Sequence, residues 1–218
     1  IGRNRGALTK AKIDELEACA RNYNVEIIPI FQLLDHHSQI LNLPQFNHMA
    51  EFPGSSSLRI SDETYDFLDK CVKELSETFD SEFFHAGLDE SWDLGTNASK
   101  DLVDSLGRAI VHANHYKKVH AILKKYDKQM MMYNRVSLEH PEIMDLIPKD
   151  IIHMYYSYSA KEHFQNIELA GENGFEMGIH PGMNNWQRFF PDLSEALVNI
   201  RNLTLEAAEN NALGAAVC

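Results

Sequence analysis

Residues 61–88, "SDETYDFLDKCVKELSETFDSEFFHAGL", contain the change of rhythm that decides the fold. Behind Ser61 the residues Tyr65, Leu68, Val72, Leu75 and Phe79 recur at helical spacing, which predicts an amphipathic helix with a serine N-cap. From 81 to 88 that spacing gives way to a short aromatic and small-residue run, predicted to be a buried strand.

Working outward, the same couple recurs along the chain. A helix capped by Thr9 is predicted to run to about Tyr23, with Ile13, Leu16 and Ala20 on one stripe, ahead of "VEIIPIFQLL" (25–34). That stretch is too apolar for a half-solvated strand and suits one covered on both faces. Further helices are predicted at about 99–126, 141–147, 160–172 and 193–211. They precede the strands "KQMMMYN" (128–134), "DIIHMYYSY" (150–158), "GFEMGIHPG" (174–182) and "LGAAVC" (213–218). Six strands, each preceded by a helix, imply a parallel sheet, because every crossover returns the chain to the same edge.

Two architectures build such a sheet: a doubly wound open sheet, or an eight-stranded (β/α) barrel. A doubly wound nucleotide binder carries a glycine-rich turn after its first strand, and neither GxGxxG nor GxxxxGK[ST] occurs. Polar and aromatic residues instead recur at the strand ends: Gln32, Asp35 and His36; Asp89 and Glu90; Tyr133 and Asn134; Tyr156 and Tyr158; His180, Asn185 and Trp186. In a barrel these positions converge on one mouth. The reading is therefore a (β/α)8 TIM barrel, and since a complete one takes about 250 residues, the 218 residues are expected to form one incomplete domain spanning 1–218, with strands 3–8 present and the first two missing.

Composition limits the function. A net charge of −12 argues against a phosphate-tracking surface and hence against a nucleic-acid partner. No apolar run is long enough to span a bilayer, so no membrane partner is expected, and "IGRNRGALTK" lacks the apolar core of a signal peptide. Cys19, Cys71 and Cys218 are odd in number and far apart, which fits a reducing, cytoplasmic setting better than a disulfide framework or a cysteine-based zinc site.

Chemistry concentrates in "HAGLDES" (85–91). In an extended strand Asp89 and Glu90 face opposite ways, so two acids directed into one pocket need the chain to bend between them. Gly87 leaves room for a ligand against the backbone, and "SWDLG" adds an aromatic. His85, on the same strand, reads as a buried structural histidine bonded to a neighbour. Neighbouring carboxylates suit glycoside hydrolysis, with one acid for the leaving oxygen and one anion for the developing positive charge. Adjacent side chains sit too close to flank a sugar on opposite faces, so the geometry suits a nucleophile supplied by the substrate.

At these residues the chain resembles the family 20 glycoside hydrolases, the β-N-acetylhexosaminidases, and especially their hexosaminidase D-like branch. The resemblance rests on "GRNRGALT" (2–9), "IIPIFQLLDH" (27–36), "FFHAGLDESWDLG" (83–95) and "HPGMNNWQRFFP" (180–191), in family order. It implies exo-acting, substrate-assisted, retaining hydrolysis of terminal N-acetylglucosaminides or N-acetylgalactosaminides, with no metal or organic cofactor. It implies Glu90 as general acid and then base, buried beside Trp92 or another aromatic, and Asp89 as the group that orients the 2-acetamido oxygen. It implies substrate contacts from His36, Tyr133, Tyr156, Asn185 and Trp186. It also implies that a sugar-binding arginine belongs to the missing strands, a role that Arg3 and Arg5 do not take, and that a Trp and an acid follow the last strand. Two rival readings stand beside it. One is a carbohydrate-binding barrel fragment without activity. The other is a metal-dependent phosphoesterase of the DHH type, suggested by "DHHS" (35–38), whose Asp and His residues are good Mn²⁺ ligands.

Overall fold

A computed structural model of the chain describes residues 6–186 and 188–217. Arg3, Arg5 and Cys218 lie outside the described residues. The chain divides into two compact units, Ile1–Met130 and Met131–Cys218.

The first unit opens with α1 (Lys10–Asn22), where the Thr9 hydroxyl accepts the Lys12 N–H at 3.3 Å, as the cap predicts. Its buried stripe differs from the expected one. Ile13 is buried, but Leu16 is exposed and Glu17 is buried instead, because the Glu17 carboxylate accepts the Asp80 N–H at 2.9 Å. The stretch 25–34 is not a strand covered on both faces. Ile30 makes a parallel bridge to His85, extended by Phe31 N–H to His85 C=O at 3.1 Å and Leu33 N–H to Ala86 C=O at 2.9 Å. Leu33 and Leu34 are buried, whereas Val25, Ile28 and Ile30 face solvent. The connection onward holds the short helix α2 (Ser38–Leu41), a 3-10 turn at Asn47–Met49 and an antiparallel bridge between Ala50 and Leu58.

Helix α3 (Asp62–Thr78) follows the predicted cap, with the Ser61 hydroxyl accepting the Thr64 N–H at 3.2 Å and Asp62 and Glu63 in its first turn, where negative charge suits the helix dipole. Thr64, Leu68 and Val72 are its buried residues. The strand that follows, β1 (Phe83–His85), is shorter than the predicted 81–88, because Gly87 and Leu88 leave the extended region at φ 68° and 71°. The single helix expected over 99–126 is two, α4 (Lys100–Leu106) and α5 (Arg108–Lys124). Gly107 separates them at φ 84°, a conformation no helix interior accepts. Helix α5 buries Val111, His112, His115, Tyr116, Val119 and Leu123 along one face. The next strand, β2 (Gln129–Tyr133), begins where Gln129 N–H meets Glu82 C=O at 2.7 Å, beside β1.

The second unit continues β2 into a parallel ladder. Met131, Met132 and Tyr133 pair with Ile152, His153 and Met154. Between them lie α6 (Arg135–Glu139) and a 3-10 turn at Pro141–Asp145, in place of the one helix expected near 141–147. Strand β3 (Ile152–Tyr156) leads into a segment predicted as helix over 160–172, of which only α7 (Leu169–Glu172) is helical. The segment before it is held by side chains instead: the Glu206 carboxylate accepts Phe164 N–H, and Asn202 donates to Lys161 C=O. Strand β4 (Met177–His180) pairs parallel with β3, Tyr156 opposite His180. Helix α8 (Leu193–Glu209) starts at Asp192, whose carboxylate accepts the Glu195 N–H at 3.3 Å. The last predicted strand adds to β4 through a parallel bridge of Ala215 to Ile179 and three backbone hydrogen bonds from Leu213 to Ala216. No described helix is long and apolar enough to cross a membrane.

Candidate active site

Beyond β1 the backbone makes the bend that the acid pair requires. Gly87, Leu88 and Glu90 all adopt left-handed conformations, with Glu90 at φ 46°. For Leu88 and Glu90 such geometry costs on the order of 1–3 kcal/mol each and persists only where surroundings over-determine it. Gln32 does so. Its amide oxygen accepts the Leu88 N–H at 3.0 Å, and its amide nitrogen donates to Asp89 Oδ1 at 2.8 Å. A Cβ on Gly87 would lie 1.9 Å from the Gln32 oxygen, so the space that sequence reading assigned to a ligand is filled by Gln32. His85 is buried and its Nδ1 accepts the Gly87 N–H at 3.0 Å, the bonded structural role read from sequence.

His36 faces both acids. Its Nε2 lies 3.6 Å from Asp89 Oδ2 and 3.7 Å from Glu90 Oε2, and one oxygen of each carboxylate lies within 4.8 Å of the other and of that nitrogen. His36 itself stands at φ 60°, and its N–H is taken by the Asp35 carboxylate, which also accepts the Ser56 and Ser57 hydroxyls. The Asp89 carboxylate raises the His36 pKa against the effect of partial burial. Burial works to raise Asp89 in turn, but the His36 ring and the Gln32 amide outweigh it and hold Asp89 below the usual carboxylate range.

The expectation from sequence is Glu90 buried beside Trp92 or another aromatic. In the structure the Glu90 side chain is 44 % exposed and Trp92 is 55 % exposed, so Glu90 is not buried. The "DHH" run also parts company. Asp35 is engaged by serines, and His37 is buried edge-on to Phe31, where burial pushes its pKa down to about 4. Of the three, only His36 joins a cluster of metal-ligating type.

The segment after the acids hangs on Glu51, which sequence reading missed. This buried carboxylate accepts the N–H groups of Gly95, Asn97 and Ser99 at 2.9–3.1 Å and the Ser99 hydroxyl at 2.8 Å. A lone acid between Ala50 and Phe52 was the available signal.

In the second unit the strand ends carry a run of rings. Tyr133 meets Tyr156 at 5.2 Å, Tyr156 meets Tyr158 at 5.4 Å, and Tyr158 meets Trp186 at 4.5 Å between centroids. The Tyr133 hydroxyl pairs with His180 Nδ1 at 2.8 Å. Tyr133 is buried and stacks on His180 at 5.4 Å, whereas half-buried Tyr156 and exposed Trp186 leave ring surface on which the apolar face of a sugar ring can stack. A Cβ on Gly182 would strike Trp186 and Tyr158 at 2.5 and 2.7 Å, so glycine permits their approach. Asn185 sits on the exposed turn, its C=O accepting the Arg188 N–H at 3.4 Å. Behind the rings, fully buried Asn199 accepts the Gly182 N–H at 3.0 Å and donates to the Ser157 and Ser159 carbonyls at 2.9 Å. Sequence reading missed Asn199 too, although it stands in the apolar stripe of α8 with Ala196 and Leu203.

Residues 2–174 match the family model described as glycosyl hydrolase family 20, catalytic domain. No curated protein matches the chain. Among solved structures, a chitobiase from Flavobacterium johnsoniae superposes with a TM-score of 0.68 at 18 % identity, over 97 % of this chain and 34 % of its own. A β-N-acetylhexosaminidase from Bacteroides fragilis gives 0.64 at 14 %, over 81 % and 35 %. An exo-β-N-acetylglucosaminidase from Vibrio harveyi, in complex with N-acetylglucosamine, gives 0.63 at 18 %, over 84 % and 32 %. The chain thus spans about a third of the length of these structures, and its parallel α/β architecture is that of an incompletely represented TIM barrel.

Proposed function

We propose, since this chain belongs to glycosyl hydrolase family 20, that it is the part of a glycoside hydrolase carrying the acid pair of an exo-acting β-N-acetylhexosaminidase. The observation that carries this reading is that one imidazole nitrogen lies within 3.7 Å of both carboxylates, which favours two acids serving the same side of a bound sugar. An inverting enzyme separates its carboxyl groups by about 6.5–9.5 Å to admit a water between them. Here one oxygen of Asp89 and one of Glu90 lie within 4.8 Å of each other.

In the proposed reaction the 2-acetamido carbonyl oxygen of the substrate attacks the anomeric carbon as the glycosidic bond breaks. Glu90 passes its proton to the departing oxygen. Asp89, kept anionic by His36 and Gln32, accepts the acetamido N–H and stabilises the positive charge of the cyclic oxazolinium. Glu90, now a carboxylate, then takes a proton from the water that opens the ring, restoring the starting enzyme and giving retained configuration. Holding the internal nucleophile in line can supply about 7–11 kcal/mol of the barrier. The ring surface of Tyr156 and Trp186, with Tyr133 packed against Tyr156, is proposed as a sugar-stacking surface.

Hydrolysis of 4-nitrophenyl N-acetyl-β-D-glucosaminide by the native chain and by Glu90→Gln tests the reading. Loss of the general acid is expected to lower kcat/KM by about 10²–10⁴-fold, with N-acetylglucosamine affinity little changed. Equal turnover by both proteins would sink the assignment of Glu90. Sugar binding with no turnover by the native chain would favour the non-catalytic reading instead.

A further inference from the structure

We propose that His36, Asp89 and Glu90 form a chelating site for one borderline divalent cation of the Zn²⁺ type, and that the ion acts as an inhibitor by occupying the acid pair. The binding half of this stands on geometry alone, while the inhibitory half rests on the function proposed above.

Three donors from different side chains approach one point: an imidazole nitrogen 3.6 and 3.7 Å from two carboxylate oxygens, with all three atoms within 4.8 Å of one another. Around a tetrahedral ion with bonds of about 2.0–2.1 Å, neighbouring ligand atoms stand about 3.3–3.4 Å apart. Two of the three edges therefore fall within a few tenths of an ångström of that spacing. The remaining edge, between the carboxylates, lies within 4.8 Å, and rotation of the partly exposed Glu90 side chain toward Asp89 can shorten it. Two carboxylates neutralise a dication, and one nitrogen with two oxygens suits Zn²⁺ or Co²⁺ better than Mg²⁺, which keeps several waters in a strict octahedron. The fourth position is left to solvent.

The surroundings orient the donors as they do around built sites. Gln32 holds Asp89 by Oδ1, which turns Oδ2 toward His36. Asp35, tied to Ser56 and Ser57, fixes the backbone that presents His36. His48 with Glu63 at 2.7 Å and His140 with Glu142 at 3.6 Å each bring one acid to a histidine. Among the described residues, this cluster alone offers three such ligands.

Titration of the native chain with Co²⁺, followed by visible absorption, and with Zn²⁺, followed by calorimetry, tests the binding without any need for turnover. One equivalent is expected to bind with the intense visible band of low-coordinate cobalt. His36→Ala and Asp89→Asn should each weaken it at least tenfold while retaining the native circular dichroism and thermal transition. Should His36→Ala fail to fold, His36→Gln takes its place. No stoichiometric binding, or affinity unchanged in the His36 and Asp89 variants, overturns the site whether or not the chain hydrolyses anything. Binding as expected, combined with hydrolysis that Zn²⁺ leaves untouched at saturation, overturns the inhibitory role. Competitive inhibition by Zn²⁺ in an active chain supports both.

Discussion

Gln32 uses both ends of its amide on the turn that carries the acids, accepting from Leu88 N–H and donating to Asp89. That arrangement explains why residue 87 is glycine. Any Cβ there meets the Gln32 amide below 3 Å, and φ 68° disfavours every L side chain. Gly87→Ala is therefore expected to displace Gln32 and loosen Asp89. The cost is of order 1–3 kcal/mol in stability, by strain of a left-handed residue plus a disrupted buried bond. Urea unfolding checks the first part. The second predicts a fall in kcat larger than any change in KM, because in the mechanism proposed above Asp89 orients the reacting amide rather than anchoring the sugar. A Gly87→Ala variant as stable and as active as the native chain would show that Gln32 does not set this turn.

At the scale of elements, helix α8 does more than cover β4. Its Asn199 amide replaces the regular ladder where the chain leaves β3 and β4, taking the Gly182 N–H and giving two hydrogens to Ser157 and Ser159. Those segments carry Tyr158 and Trp186. Asn199→Leu keeps the apolar stripe of Ala196, Leu203 and Ala207 but strands one donor and two acceptors. A loss of about 2–4 kcal/mol is expected, since buried groups left unsatisfied cost about 1–3 kcal/mol each and do not add fully. The Trp186 environment should shift with it, read by tryptophan fluorescence against a Trp92→Phe background. The break at Gly107 and the short α7 follow the same rule: where the backbone conformation or side-chain bonding departs from the helix, local periodicity does not prevail.

For the whole molecule, three of the buried histidines weaken the fold as pH falls, and outweigh the opposite contribution of His36, whose pKa is raised. Burial pushes His37 and His115 down to about 4 and His153 to about 3. His115 lies between Leu33 C=O and the Tyr65 hydroxyl, and His153 stacks on Phe175 at 4.2 Å with no hydrogen-bond partner for either ring nitrogen among the described residues. Each folded pKa lies below the unfolded value of about 6.5, so the unfolded chain takes up protons first as pH falls. The stability these groups contribute is complete above about pH 6.5 and is lost progressively from there toward their folded pKa values, at about 2 kcal/mol per histidine between pH 7.5 and 5. Thermal unfolding midpoints should drop over that interval. His153→Leu should flatten the drop and raise the midpoint at pH 5. A midpoint independent of pH from 7.5 to 5 would contradict the buried, neutral state of these rings.

The sequence by itself determined what local periodicity and capping control: the helix–strand alternation, the Thr9 and Ser61 caps, the parallel sense of the sheet and the tandem acids at a strand end. It also determined that Asp89 and Glu90 need a bend to face one way, since alternation in an extended chain leaves no other route. Only the tertiary structure decided how that bend is held. Gln32 reaches Asp89 across 57 residues of sequence and Glu51 reaches Gly95 across 44. The exposure of Ile30 and of Glu90 was likewise decided by which faces are covered, not by residue type. Hydrogen bonds between distant side chain and backbone leave no period in the sequence, so the residues that position the acids were visible there only as isolated polar letters among apolar ones.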